Sequence, residues 1–142
     1  MMINETEIPV RYAETDQMGV VYHANYFIWC EVGRTALMAQ LGIPYHDMEE
    51  EGILAPVTSI EASYKAPAKF GDTVTVQTRV ASYNGLRVTY SYEISAGERL
   101  CMTGKSEHVL VDADRFRPRS MKKKYPHWHQ VYEKAVQSFS HP

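Results

Sequence analysis

The sequence predicts an α+β fold: one long helix wrapped by a curved antiparallel sheet of about five strands, with a short C-terminal helix. Three observations carry this. Residues 25–41, NYFIWCEVGRTALMAQL, repeat apolar side chains at helical spacing. Segments 72–83 and 86–95 alternate apolar and polar side chains, the period of a strand with one buried face. Between them, Asn84-Gly85 is a two-residue hairpin signature. The helix is apolar over much of its circumference, so the sheet is expected to curl around it.

Each element follows in order. EIPVRY (7–12) reads as a short first strand. In the helix, Tyr26, Cys30, Gly33, Leu37 and Leu41 fall on one stripe, widened by Phe27, Trp29 and Met38. Gly42 and Pro44 supply its stop. Gly33 in mid-helix costs about 1 kcal/mol relative to alanine, and the expected return is close approach of a sheet. Glu31 and Arg34, three apart, are expected to pair at the helix surface. ILAPVTSIEASYKA (53–66) reads as one long strand with Pro56 near its start, where a missing donor is tolerated. DTVTVQTRVASY (72–83) places Val74, Val76, Thr78 and Val80 on one face, and LRVTYSYEIS (86–95) does the same with Leu86, Val88, Tyr90, Tyr92 and Ile94. Ala96-Gly97-Glu98 turns the chain into RLCMTGKSEHVLVD (99–112), a further antiparallel strand, and residues 126–139 read as the last helix.

A chain of 142 residues is expected to form a single domain over 1–142, long enough to bury a core without staples. Its net charge of -2 argues against a surface built to hold nucleic acid. No apolar run approaches the roughly 18 residues of a membrane span, and the N-terminus has no basic-then-apolar leader pattern. Cys30 and Cys101 sit in apolar segments and read as small core residues, so a reducing, cytoplasmic setting is expected. The segment RFRPRSMKKKY (115–125) reads as a solvated basic tail.

Polar chemistry concentrates in DQMGVVYHANY (16–26), immediately ahead of the helix. Two readings are open: a decorated turn that caps the helix, or an active site. Asp16 alone is a common turn residue. Gly19 permits a tight turn and gives a substrate room to approach the backbone. The chain enters the helix near His23 to Asn25, where the first amides have no partner inside the helix. Those amides can stabilise a developing oxyanion. A carboxylate a few residues away can act on the same carbonyl carbon, as a base through water or as a nucleophile. His23 is a candidate second acid/base, Asn25 a candidate cap, and Tyr22 and Tyr26 candidate packing or pocket groups. The six histidines show no metal-ligand spacing, and neither a GxSxG elbow nor a P-loop is present.

The run RYAETDQMGVVYHANYFIWCEVGR (11–34) resembles the signature of hotdog-fold acyl-CoA thioesterases, the 4-hydroxybenzoyl-CoA thioesterase family. SYKAPAKFGDTVTVQTRV (63–80), the Asn-Gly hairpin, HVLVD (108–112) and Arg117-Pro118 extend the likeness over a core of about 7–120, leaving 121–142 as a basic linker and the C-terminal helix. The resemblance implies hydrolysis of an acyl-CoA thioester to free acid and coenzyme A in a homodimer or homotetramer, with the site at the dimer interface. By position, Asp16 is the implied catalytic carboxylate and the amide near His23 the group that polarises the thioester carbonyl. Gly19, Tyr22, Asn25 and Tyr26 shape the pocket. Glu31 is a reserve carboxylate, since other hotdog branches carry theirs on the central helix.

The strand at 53–64 of a partner subunit is expected to line the acyl group. Ala55 stands where some relatives have a polar side chain, with Thr58 and Ser59 close by. Lys65, Lys69 and Arg87, near strand ends, are candidate contacts for coenzyme A phosphates, with Arg117 and Arg119 in reserve. No cofactor or metal is implied, coenzyme A being part of the substrate. The alternatives are a non-catalytic acyl-CoA or acyl-carrier binding module and a hotdog dehydratase. The latter pairs a histidine with a carboxylate from another segment, whereas Asp16 and His23 share one loop.

Overall fold

The alternation seen along residues 72–95 organises the whole molecule. The structure, a computed structural model, describes residues 3–140, with side chains through residue 136. In chain order, β1 (Ile3–Pro9) leads through a 3-10 turn at Tyr12–Glu14 to α1 (Ala24–Gln40). Then come α2 (Tyr45–Glu50), β2 (Ile53–Leu54), β3 (Val57–Tyr64), β4 (Thr73–Tyr83), β5 (Arg87–Ala96), β6 (Arg99–Val109) and β7 (Val111–Asp112). The short α3 (Met121–Lys124) and α4 (Pro126–Ser140) end the chain. Five strands form one antiparallel sheet in the order β1-β4-β5-β6-β3, while β2 and β7 pair separately. A long helix lying across such a sheet is the hotdog arrangement.

The inward residues of β4 and β5 are the ones the alternation predicts: Val74, Val76, Thr78 and Val80, then Val88, Tyr90, Tyr92 and Ile94, are all buried. Against them α1 buries Tyr26, Trp29, Cys30, Gly33, Leu37 and Met38. A Cβ added at Gly33 would collide with Thr78 Oγ1 and lie 2.8 Å from Val76 Cγ1, so the glycine is what admits the sheet to the helix. Cys30 and Cys101 are free and buried, as expected of core residues. α4 lies where 126–139 was expected, with Pro126 at its first position, where a missing N–H costs nothing. Its Tyr132 is buried and stacks on Tyr83 with ring centroids 4.8 Å apart.

Several boundaries differ from the sequence expectation. The first strand spans Ile3–Pro9 rather than 7–12. Arg11 turns out of it because its amide donates to the Glu14 carboxylate at 2.8 Å. The long strand expected over 53–66 is broken at Ala55-Pro56, where the chain leaves its pairing with β7 and joins β6. Proline has no N–H to continue the ladder. The expected strand 99–112 divides into β6 and β7 in the same way. The Asn84-Gly85 turn closes one residue late: the Asn84 amide donates to Arg87 O at 3.1 Å, which puts Gly85 (φ 91°) and Leu86 at the tip. Arg34 does not pair with Glu31; its Nη1 donates to the Tyr92 hydroxyl at 3.0 Å.

That last bond begins a buried polar line. Tyr92 OH lies 2.5 Å from Ser106 Oγ, Ser106 Oγ 2.9 Å from His108 Nε2, and His108 Nδ1 3.0 Å from Ala55 O. An arginine only donates and a carbonyl only accepts, so His108 must carry its proton on Nδ1 and accept at Nε2. Burial pushes the His108 pKa down to about 4, against the raising effect of its bond to Ala55, and the Arg34 charge adds to the depression.

Candidate active site

Asp16 sits in a turn that the chain closes on itself. Its amide donates to Val20 O at 2.9 Å, the Gly19 amide returns to Asp16 O at 3.0 Å, and Gly19 adopts φ 78°, which glycine supplies without strain. Asp16 Oδ1 accepts the Met18 amide at 2.8 Å, and among the described hydrogen bonds Oδ2 takes no donor. The turn is bound to its neighbours on both sides: Val21 N donates to Ala68 O at 2.9 Å and Tyr22 N to Glu14 O at 2.8 Å.

The helix then starts at Ala24 with His23 as its N-cap, and no side chain caps it. Asn25, the expected cap, instead donates its Nδ2 to Glu14 O at 2.9 Å. The Asn25 and Tyr26 amides are taken by Tyr22 O and His23 O, at 2.9 and 3.3 Å. The His23 and Ala24 amides donate in none of the described bonds, so they are the pair available at the entry.

Asp16 and His23 face a cleft of about 280 Å³ that is also lined by Val21, Tyr26, Tyr64 and Lys65 among others. Tyr26 forms its buried wall, with its hydroxyl accepting the Ala68 amide at 3.2 Å. Burial raises the Tyr26 pKa, partly offset by that amide, which keeps the phenol neutral at ordinary pH. Tyr64, at the end of β3, stands opposite: its ring is 5.2 Å from that of Tyr26 and its hydroxyl donates to His23 O at 3.1 Å. Tyr22 is exposed and rests against the His23 ring, with centroids 4.3 Å apart.

Of the residues singled out in the sequence, Asp16, His23, Tyr26 and Lys65 therefore meet in one cleft, with Gly19, Tyr22 and Asn25 forming its supporting loop. Lys69 lies just beyond, its amide bonded to Asp72 Oδ2 at 2.9 Å. Thr58, Ser59 and Arg87 lie at the other end of the sheet: Thr58 Oγ1 donates to Glu107 O at 3.1 Å, Arg87 pairs with the Glu107 carboxylate at 3.3 Å, and Ser59 adjoins Glu107 in the β3–β6 ladder. Glu31 is exposed on α1, away from the cleft. Sequence reasoning passed over Tyr64 and Glu14. Glu14 is buried, accepting Arg11 N at 2.8 Å and Trp29 Nε1 at 2.9 Å. Burial raises its pKa, but the donors from the Arg11 amide, Trp29 and the Arg11 guanidinium outweigh it, so the carboxyl lies below its ordinary value.

Known proteins are similar to this chain in sequence and in fold. The family profile described as the thioesterase-like superfamily matches residues 10–133. YneP of Bacillus subtilis (strain 168), whose name places it provisionally among acyl-CoA thioesterases, is 51% identical over 95% of this chain and 99% of its own. The acyl-CoA thioester hydrolase YbgC of Escherichia coli O6:H1 is 30% identical over 81% of this chain and 88% of its own. Among solved structures, the DHNA-CoA thioesterase of Staphylococcus aureus superposes with a TM-score of 0.92 at 42% identity, covering 99% of this chain and 94% of that one.

Proposed function

The chain belongs to the thioesterase-like superfamily, and from that premise we propose that it hydrolyses an acyl-CoA thioester to a free carboxylic acid and coenzyme A. The observation that carries this reading is the meeting of Asp16 with the uncapped first turn of α1 in one cleft. Asp16 either takes a proton from water as the water oxygen attacks the thioester carbon, or attacks that carbon itself to give an anhydride that water then opens. In both courses the carbonyl oxygen gains negative charge as the new C–O bond forms. The His23 and Ala24 amides, at the positive end of the helix dipole, receive it. The C–S bond breaks as this charge collapses, and the sulfur leaves as thiolate. In the first course it takes the proton that Asp16 drew from water; in the second it leaves as the anhydride forms and takes the proton released when water opens that anhydride. The His23 ring lines the cleft and borders the leaving group.

We assign an aromatic acyl group as the first substrate to examine. The 42% identical Staphylococcus aureus protein is named for DHNA-CoA, and 4-hydroxybenzoyl-CoA, suggested by the sequence motif, is of the same chemical class. Lys65 at the rim supplies charge for the coenzyme A phosphates, with Lys69 next to it. The reading requires no metal or redox cofactor. It takes the active unit to be a homodimer or homotetramer joined along β3, one of the two edge strands of the sheet, so that Thr58, Ser59 and Arg87 serve a partner's cleft. It places the protein in the cytoplasm; among the described residues, no helix is long and apolar enough to cross a membrane.

The test is thiol release from a panel of aromatic and straight-chain acyl-CoA substrates by the wild type and Asp16→Asn. The variant is expected to lose about 100-fold or more in kcat, the scale of a missing general base. Equal turnover by the two proteins overturns the role of Asp16. A wild type that binds acyl-CoA and releases no thiol from any of them overturns the enzyme reading in favour of a binding module.

A further inference from the structure

Glu14 is the most deeply buried carboxylate beside the cleft, with only 4% of its surface exposed, yet it does not line the cleft. Its partners are chain neighbours of the residues that do: Tyr22 and Asn25 flank His23, and Asn25 and Trp29 lie on either side of Tyr26 in α1. One oxygen accepts the Arg11 amide at 2.8 Å; the other accepts the Trp29 indole at 2.9 Å and, at 3.4 Å, the exposed Arg11 guanidinium. Its backbone carbonyl accepts both the Tyr22 amide at 2.8 Å and the Asn25 side chain at 2.9 Å. One residue thereby joins the 3-10 turn, the segment that follows the Asp16 turn and two successive levels of α1.

The geometry points to Glu14 as a positioning residue, one that fixes the Asp16 turn against the first turn of α1 so that carboxylate and free amides address one atom; this rests on the hydrolytic reading above. The chemistry of the donors explains why an acid is needed. Trp29 Nε1 and the Arg11 amide are obligate donors approaching different oxygens, and only an ionised carboxylate presents acceptors to both. A glutamine in its place must turn an NH2 toward one of them. Removing a negative charge from a solvated loop would change little. Here the loss leaves a buried donor without an acceptor and frees the turn to shift. Misplacement of reacting groups by about 1 Å can cost a factor of about 100 in rate.

The decisive variant is Glu14→Gln, with Trp29→Phe as a second probe that removes one donor and leaves the acid. Kinetics are normalised to folded protein, and amide hydrogen exchange is followed over residues 15–23 in the absence of substrate. The expected result for Glu14→Gln is a fall in kcat of about tenfold to 100-fold with KM within about threefold, together with faster exchange at the Asp16 and Tyr22 amides. Trp29→Phe is expected to move both readouts in the same direction by less. Unchanged kcat per folded molecule, whether or not the variant melts at lower temperature, overturns the proposal and leaves Glu14 a purely structural acid. If the wild type turns over no acyl-CoA, the hydrolytic reading fails instead. The exchange data then still decide whether Glu14 holds the turn, unchanged exchange overturning it.

Discussion

Gly33 in α1 and Thr78 in β4 meet without room for a methyl group between them. Gly33→Ala would normally strengthen a helix by about 1 kcal/mol. Here the new Cβ must displace the sheet, and overpacking of this kind costs about 1–3 kcal/mol. The net change is expected to be destabilising in urea unfolding. Thr78→Ala in the Gly33→Ala background is expected to recover part of the loss, because it removes the nearest obstructing atom and a buried hydroxyl that has no hydrogen-bond partner among the described residues. Recovery stays incomplete because Val76 remains 2.8 Å from the new carbon.

The buried His108 should make stability depend on mild acid. Its pKa is depressed to about 4 in the folded chain against 6.5 for the free side chain, so between those values the unfolded chain binds the extra proton. Stability from this group is present above pH 6.5 and is lost as pH falls toward 4. The whole window is worth on the order of 3 kcal/mol at 1.36 kcal/mol per pKa unit. Urea midpoints measured from pH 7 to pH 4 should fall for the wild type. His108→Asn, less stable at pH 7, should show a shallower slope over the same range.

Tyr64 offers a test of the helix entry that leaves the carboxylate alone. Tyr64→Phe keeps the ring against Tyr26 and removes only the bond to His23 O. A neutral hydrogen bond of this sort is worth about 1 kcal/mol, or about fivefold in rate if it acts in the transition state. We expect a loss of that size in kcat/KM with little change in unfolding midpoint, since Tyr64 is 46% exposed.

The edge strand β3 presents Val57, Ile60 and Tyr64 to solvent at 41–50% exposure, and α1 presents Ile28 and Val32. Ile60→Lys places a charge in the middle of that row. Light scattering at micromolar concentration is expected to show a shift toward monomer, with turnover falling in parallel. A wild type that is monomeric and fully active would contradict the proposed interfacial site.

The sequence made the larger pattern legible where a local signal coincided with a tertiary one. Val74 to Val80 and Val88 to Ile94 alternate because one face packs on α1, and Gly33 stood out as a helix residue without a local reason. Asp16 and His23 could be joined because they share a loop. Glu14 could not be found in this way. In RYAETD it looks like a solvated acid, and its burial against Trp29, 15 positions later in the chain, depends on how α1 packs. The polar line was equally hidden. Ser106, His108 and Tyr92 lie on one face of two strands, but bringing Ala55 to them depends on the break at Pro56. Likewise, Glu31 and Arg34 had the spacing of an ion pair, and the helix rotation that packs α1 against the sheet sent Arg34 to Tyr92 instead.

The line from Arg34 through Tyr92, Ser106 and His108 to Ala55 has one more property. Its first member can only give a hydrogen bond and its last can only take one, so the sense of every link between is dictated from the ends. Chains of hydroxyls and imidazoles are often pictured as wires for protons. This one has no source to feed it and no sink to drain it, for the guanidinium keeps its protons and the peptide oxygen accepts none. It is a strut. The fold has placed this buried imidazole where nothing can be passed along, and has set Asp16, whose Oδ2 takes no donor among the described hydrogen bonds, at the open cleft.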